Sequence, residues 1–331
     1  MQTDADRLIK QIFFQQREEK MEELALLVFR FQAENNAVYR SYIRHLGINP
    51  DQINTFSQIP FLPIGFFKHH LVKSFEESPE IIFSSSGTTG DSASRHAVRD
   101  LRIYKESFLR CFELFYGNPA LYRILALLPS YLEREGSSLV YMTGKLIEQS
   151  KHAESGFYLN NLRELADLLA RAGKTSQPTL LIGVSFALLD LSEIHPQPLK
   201  NTIIMETGGM KGRRKELTRE ELHLRLKKAF SIETIHSEYG MTELLSQAYS
   251  QGEGRFRTPP WMRILIRDSH DPFSLASPGT SGGINIMDLA NIYSCSFIET
   301  SDIGKMHEDG RFEILGRFDS SDVRGCNLMV E

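Results

Sequence analysis

Residues 84 to 90 read SSSGTTG and directly follow the short apolar run EIIF at 80–83. Hydroxyls and glycines at the end of a strand present O–H and backbone N–H donors, the contacts that cradle phosphate oxygens. Gly87 and Gly90 let the backbone bend and approach a ligand closely. No lysine follows the last glycine, so this is not a Walker loop; taken alone, such a segment is more often a flexible Ser/Gly loop than a phosphate site. Three further segments carry chemistry-bearing residues: SEYGMTE at 237–243, TSDIG at 300–304 and GRFD at 316–319. In TGGMKGRRKE, at 207–216, Gly208 and Gly209 can form a wall that a ligand passes close to backbone. The basic run after them, Lys211 to Lys215, reads as a solvated helix start. His236, before the turn at Ser237, is either a lining residue of a pocket or a structural histidine.

The elements that must position these residues follow from periodicity. Over residues 3–46, Leu8, Ile9, Ile12 and Phe13 recur at helical spacing, and Leu24, Leu27, Val28 and Phe31 continue the stripe until Gly47 and Pro50 stop it. Prolines in IPFLPIGFFKHH forbid a long helix there. Strand-like runs then alternate with helical patterns: EIIF (80–83), RILALL (123–128), TLLIGV (179–184) and NTIIME (201–206), with a helical stripe at Leu162, Leu165, Ala166 and Leu169. Thr218 and Glu221 make a capping box before a helix ending near Phe230. Such alternation predicts an α/β fold with a mainly parallel sheet covered by helices on both faces. Beyond about residue 250 the segments MRILIRD, GGINIMDL, CSFIET and RFEILGR are short and β-rich, which predicts a smaller sheet or barrel-like part. The division that follows is a helical lead-in at 1–75, an α/β core at 76–250 and a β-rich subdomain with its tail at 251–331.

With 331 residues, a formal charge of −4, 41% apolar and 24% charged residues, the composition is that of a globular chain with an ample core and gives no sign of nucleic-acid binding. Three scattered cysteines make no disulfide framework, the first residues lack the apolar stretch of a signal peptide, and no apolar run approaches the roughly 20 residues of a membrane span. A reducing cytoplasm is the expected location.

The order of the four segments, with the Ser/Gly/Thr loop first, resembles the adenylate-forming superfamily of acyl- and aryl-CoA ligases, peptide-synthetase adenylation domains and luciferases. FLPIGFFK (61–68), LLPSYLEREGSSLVYM (127–142), ETGGMKGRRKE (206–216) and VRGCNLM (323–329) are more closely similar to its acyl-protein synthetase branch, the LuxE type, and also to phenylacetate-CoA ligases. The resemblance covers roughly residues 55 to 331. It implies the large N-terminal-type domain of these enzymes and an acid–thiol ligase that converts ATP to AMP and diphosphate. By that resemblance Ser85, Ser86, Thr88 and Thr89, with Gly87 and Gly90, would hold the β- and γ-phosphates. Tyr239 would stack on adenine, Gly240 would allow close approach of the backbone, and Thr242 would touch the α-phosphate. Glu243 would bind Mg²⁺, Asp302 would accept from the ribose hydroxyls, and Arg317 would reach ribose or phosphate.

Two departures matter. The Pro-Lys-Gly segment that commonly follows the first loop is replaced by DSASRH at 91–96, where Arg95 is the candidate cation. The chain also ends soon after GRFD, so the separate C-terminal lid domain with its catalytic lysine is expected to be absent. In acyl-protein synthetases a cysteine near the C-terminus carries the acyl group as a thioester, and Cys326 stands at the matching position, with Arg324 nearby to favour the thiolate. Cys111 and Cys295 read as small apolar side chains. The expected substrate is a carboxylic acid, by resemblance a fatty acid. The acceptor is Cys326, a partner protein's thiol or CoA, and an acyl reductase or acyl carrier is the expected partner. A compact acyl-CoA ligase and a non-catalytic nucleotide- or acyl-binding module remain as alternatives.

Overall fold

The computed structural model describes residues 2–14, 18–85, 93–129, 136–208 and 217–318. Where apolar spacing predicts one helical stretch over 3–46, three helices form: Gln2–Phe14, Glu18–Asn35 and Ala37–His45. The break at Asn36 has a local cause. Its Oδ1 accepts the N–H of Tyr39 at 3.0 Å as the cap of the third helix, and its Nδ2 donates to the Ser294 carbonyl at 2.8 Å. An asparagine that bonds the backbone in this way starts a helix rather than continuing one. Leu24 and Val28 face the core as predicted, whereas Leu27 faces solvent and Phe29 takes an inward position. Gln32 donates to the carbonyls of Asn291 and Ile292 and accepts the N–H of Ser296. The lead-in helices therefore clamp the turn at 289–296, more than 250 residues away along the chain.

The strands are β1 (Leu62–Pro63), β2 (Ile81–Ser84), β3 (Arg95–Val98), β4 (Arg123–Leu127), β5 (Gly156–Phe157), β6 (Thr179–Val184) and β7 (Thr202–Thr207) in the first part of the chain. They continue as β8 (His236–Tyr239), β9 (Ala248–Ser250), β10 (Phe256–Arg257), β11 (Met262–Arg267), β12 (Ser281–Asp288), β13 (Phe297–Met306) and β14 (Phe312–Arg317). Twelve of them make one sheet in the order β11-β12-β13-β14-β10-β9-β8-β7-β6-β4-β5, with β1 beside β13. β5, β4, β6, β7 and β8 are parallel, and every residue of β4 and β6 is buried, as central parallel strands require. The helix Ser138–Ser150 packs on β4 and the helix Ser185–Ile194 on β6 and β7. Thr218 and Glu221 form the expected capping box at the start of the helix Arg219–Phe230.

One strand departs from the expected alternation. The EIIF run does not join the parallel sheet; β2 pairs antiparallel with β3 in a separate hairpin. Only Phe83 of β2 is buried, so the run is apolar because it lies against the body of the protein on one face, not because it is central. Of the phosphate-loop candidate, Ser84 ends β2 and Ser85 follows it; residues 86–90 lie outside the described residues.

The β-rich part beyond residue 250 is antiparallel and continues the parallel strands without a break, through β9 and β10. In a flat sheet the four spacings from β8 to β13, at about 4.8 Å each, would separate them by roughly 19 Å. Yet the Tyr239 hydroxyl, on β8, donates to Asp302 on β13 at 2.7 Å. The sheet must curl tightly over its short strands β9 and β10, which accords with the barrel-like closure expected from the sequence. Register shifts in β12–β13 and β13–β14 add local twist.

Candidate active site

The site forms where the parallel strands end and the curled strands return. Ligands in open α/β sheets bind outside the carboxyl ends of the strands, and two such ends carry candidate residues: Gly208 after β7 and Tyr239 to Glu243 at and after β8. Asp302 and Arg317 come from the other side as direct partners in the register of β13 and β14. The Tyr239 hydroxyl donates to Asp302 Oδ2 at 2.7 Å, and Arg317 Nε lies 3.0 Å from Asp302 Oδ1. Burial, followed by the charge of Asp302, holds the Tyr239 phenol well above its usual pKa, so it is a donor at neutral pH. Its ring meets Phe256 and Phe312 edge-on at 6.1 and 6.0 Å. Asp302 is nearly buried, while 70% of the Arg317 side chain is exposed and free to turn toward a ligand.

Glu243, in the turn after β8, is buried. Burial raises its pKa, while a hydrogen bond from the Ser94 side chain and the charge of Arg317 act in the opposite direction. The charges of Arg317 and Asp302 both reach Glu243, in opposite directions. Among the described residues no group of three or more His, Cys, Asp or Glu side chains can hold a metal by itself. One buried carboxylate fits a Mg²⁺ that arrives with nucleotide phosphates, because that ion commonly takes one or two carboxylates and fills its shell with phosphate and water.

The remaining candidates are placed as follows. Ser85 stands at the mouth of the β2–β3 hairpin; its Oγ accepts the Ser94 N–H at 3.0 Å, which leaves its own O–H to donate outward. Gly208 is exposed, with φ +63°, and its carbonyl accepts from Ser185 Oγ at 2.6 Å. At Gly240 a Cβ would lie 2.5 Å from Glu238 Oε1, so a larger residue would have to displace that carboxylate. That carboxylate accepts from Thr207 and ties the ends of β7 and β8 together. Thr242 is half-buried in the turn after β8. Ser86, Gly87, Thr88, Thr89, Gly90, Gly209 and Cys326 lie outside the described residues.

Arg95 is exposed, and the inward residues of that segment are Ser94 and His96. Strand alternation over 94–96 was the available signal. His236 has its Nδ1 3.1 Å from the Tyr116 hydroxyl, and burial pushes its pKa down to about 4. Cys111 and Cys295 are both buried in the core, and burial raises the pKa of each, that of Cys295 to about 12. Arg219 was not visible as a site residue either. It joins Glu206 at the end of β7 at 3.1 Å, donates to the Ile314 carbonyl of β14 at 3.1 Å and lies over the Phe256 ring, bracing the strand that carries Arg317.

Comparison with known proteins places the fold. Three solved structures share the fold. ATP-bound MatB from Rhodopseudomonas palustris is 17% identical, with a TM-score of 0.53 over 73% of this chain and 49% of its own. 2-Hydroxyisobutyryl-CoA ligase in an open conformation with 2-HIB-AMP and CoA is 11% identical, with a TM-score of 0.65 over 90% of this chain and 70% of its own. The same ligase in its thioesterification state gives 12% and 0.68 over 92% and 69%. The chain spans about half the length of MatB. No curated protein matches the sequence. No helix among the described residues is long and apolar enough to cross a membrane. The profile of the family described as "Acyl-protein synthetase, LuxE" matches residues 141–331, more than half of the chain and all of the curled sheet with Tyr239, Asp302 and Arg317. The chain belongs to the acyl-protein synthetase (LuxE) family.

Proposed function

We propose that this protein is an ATP-dependent ligase that converts a carboxylic acid to its acyl-adenylate and passes the acyl group to a thiol. The observation that carries the reading is the Tyr239–Asp302–Arg317 arrangement, with Glu243 in the turn after β8, at the carboxyl ends of the parallel strands. Asp302 keeps acceptor capacity for the ribose hydroxyls, and Tyr239 offers a ring face for adenine. Thr242 is the contact for the α-phosphate, the Ser/Gly/Thr segment after β2 takes the outer phosphates, and Arg317 reaches ribose or phosphate. Both reactants are anions, so the site's work is to hold the carboxylate in line with the α-phosphate and to offset charge as pyrophosphate departs. Glu243 would hold a Mg²⁺ ion, which would supply that charge compensation. MatB was solved with ATP and the hydroxyisobutyryl ligase with an acyl-AMP, which supports nucleotide use on this fold. Pyrophosphate exchange into ATP, screened over carboxylic acids of increasing chain length, tests the first half-reaction. Fatty acids should be the accepted class, and no exchange with any acid rejects the reading.

For the second half-reaction the proposed acceptor is Cys326, with a partner protein's thiol, an acyl reductase or an acyl carrier, next in the sequence. Its thiolate attacks the carbonyl carbon of the acyl-AMP, the new C–S bond forms, and AMP leaves with the electron pair of the C–O bond. Cys326→Ser should leave pyrophosphate exchange nearly unchanged and abolish a hydroxylamine-labile acyl adduct, read by mass spectrometry. An adduct on Cys111 or Cys295 instead contradicts this assignment. CoA as acceptor is a second reading, favoured by the CoA complexes of the hydroxyisobutyryl ligase. Competition between CoA and the protein thiol separates the two.

A further inference from the structure

The turn that carries Thr242 and Glu243 is held by two buried polar side chains that lie in none of the four segments. His96, on β3, has Nδ1 2.8 Å from the Thr242 carbonyl oxygen and Nε2 2.9 Å from Asn291 Oδ1. Asn291, in the tight turn after β12, donates from Nδ2 to the carbonyls of Glu243 at 2.7 Å and Cys295 at 2.9 Å. Both amide protons go to backbone carbonyls, so the amide oxygen faces His96 Nε2. Burial pushes the His96 pKa down to about 4, and the neutral ring donates its single N–H to one of its two acceptors, the Thr242 carbonyl or Asn291 Oδ1. Both side chains are 1% exposed. Two successive peptide units, those of Thr242 and Glu243, are thus each gripped by a separate buried side chain. Ser94 precedes β3 on the same face as His96 and hydrogen-bonds the Glu243 carboxylate, so Glu243 is held at both its carbonyl and its carboxylate.

Packing alone does not require this arrangement. The β2–β3 hairpin stands outside the large sheet, and its mouth carries Ser85 at one side and Ser94 at the other. Through Ser94 and His96 the hairpin contacts the turn after β8, while Asn291 ties the same turn to the loop that the lead-in helices clamp. Three polar contacts from two elements converge on two consecutive residues. A buried histidine needs a partner at each ring nitrogen, and here one of the two is the backbone of the functional turn.

We propose that His96 and Asn291 are positioning residues: they set the peptide planes at Thr242 and Glu243, and so aim that hydroxyl and carboxylate into the site. This rests on the roles proposed above for Thr242 and Glu243. Misplacing catalytic groups by a fraction of a bond length acts on the chemical step more than on substrate affinity.

The test measures acid-dependent pyrophosphate exchange in wild type and in His96→Ala, His96→Asn, His96→Gln and Glu243→Gln, with the thermal unfolding midpoint of each. Asn places an amide near the Nδ1 position and Gln places one near Nε2. His96→Ala should lower kcat about tenfold or more while KM for ATP changes less than about threefold, and one of the two amide variants should recover most of the loss. Recovery by Asn assigns the effect to the Thr242 carbonyl, and recovery by Gln assigns it to Asn291. If His96→Ala does not fold, the same comparison is made between Asn and Gln, and equal, wild-type rates in both overturn the proposal. It is also overturned if folded Ala, Asn and Gln variants all lose activity alike, which marks a packing role. Wild-type kcat in every His96 variant, alongside a large loss in Glu243→Gln, rejects the positioning role and leaves the site reading intact. Wild-type kcat in Glu243→Gln removes the site reading, and this inference with it.

Discussion

The two halves of the sheet contribute differently. Strands β4 to β8 are parallel, and the central β4 and β6 are buried on both faces; their side chains fill the core, and the turns at the carboxyl ends are what can meet a ligand. Strands β9 to β14 are antiparallel and curl, and alternate residues along them can face the cleft. Asp302 and Arg317 use that freedom as register partners. The difference teaches that one half supplies a rigid ledge with backbone turns, and the other supplies charged side chains aimed at it. Substitutions in the two halves should therefore be read by different instruments.

The largest effect is expected in the ledge. Leu181, central in β6 and fully buried, should cost about 2–5 kcal/mol of stability as Leu181→Ala, seen as a lower denaturation midpoint. The folded fraction should keep its KM for ATP. A change in KM with unaltered stability would break the division between the halves. Glu243→Gln should reduce adenylation at least about tenfold, or about 1.4 kcal/mol of barrier, at nearly native stability. Unchanged exchange in a folded variant removes Glu243 as the metal ligand.

Arg317→Ala sharpens the contrast from the other side. Its ion pair with Asp302 is largely exposed at the arginine, so the loss in stability should be under about 1 kcal/mol, while ATP affinity falls. A stability loss well above that would make the arginine structural. The smallest effect concerns pH. Burial lowers the pKa of His236 from 6.5 to about 4, so between those values the unfolded chain binds the proton and the folded chain does not. Stability from this group is therefore full above pH 6.5 and is lost as pH falls toward 4. His236→Asn should lose less stability than wild type between pH 6.5 and 4.5, measured by denaturant titration; identical losses would contradict the burial argument.

Much of this was legible in the sequence, for physical reasons. β6 falls on TLLIGV residue for residue, because a run buried on both faces has a clean boundary in hydropathy. The Thr218–Glu221 cap is a local signal and needs no tertiary information. Tyr239, Asp302 and Arg317 came from ordered segments, and the structure joins them. The hairpin pairing of EIIF was hidden, since a short apolar run reads alike in a parallel sheet and in a half-buried hairpin. His96 and Asn291 were hidden for a further reason. Their partners are backbone carbonyls 146 and 48 residues away, and a backbone acceptor leaves no mark on residue type. In DSASRH attention falls on the charge of Arg95, yet alternation turns that side chain outward and His96 inward.

The central claim is that a nucleotide binds where the two halves meet. Calorimetric titration of ATP into wild type and Asp302→Ala tests it most directly, because it requires neither the acid nor the acceptor. Loss of a charged acceptor for ribose hydroxyls should weaken binding by about 1.5–3 kcal/mol while the variant remains folded. Equal ATP affinity in the two proteins would contradict the account.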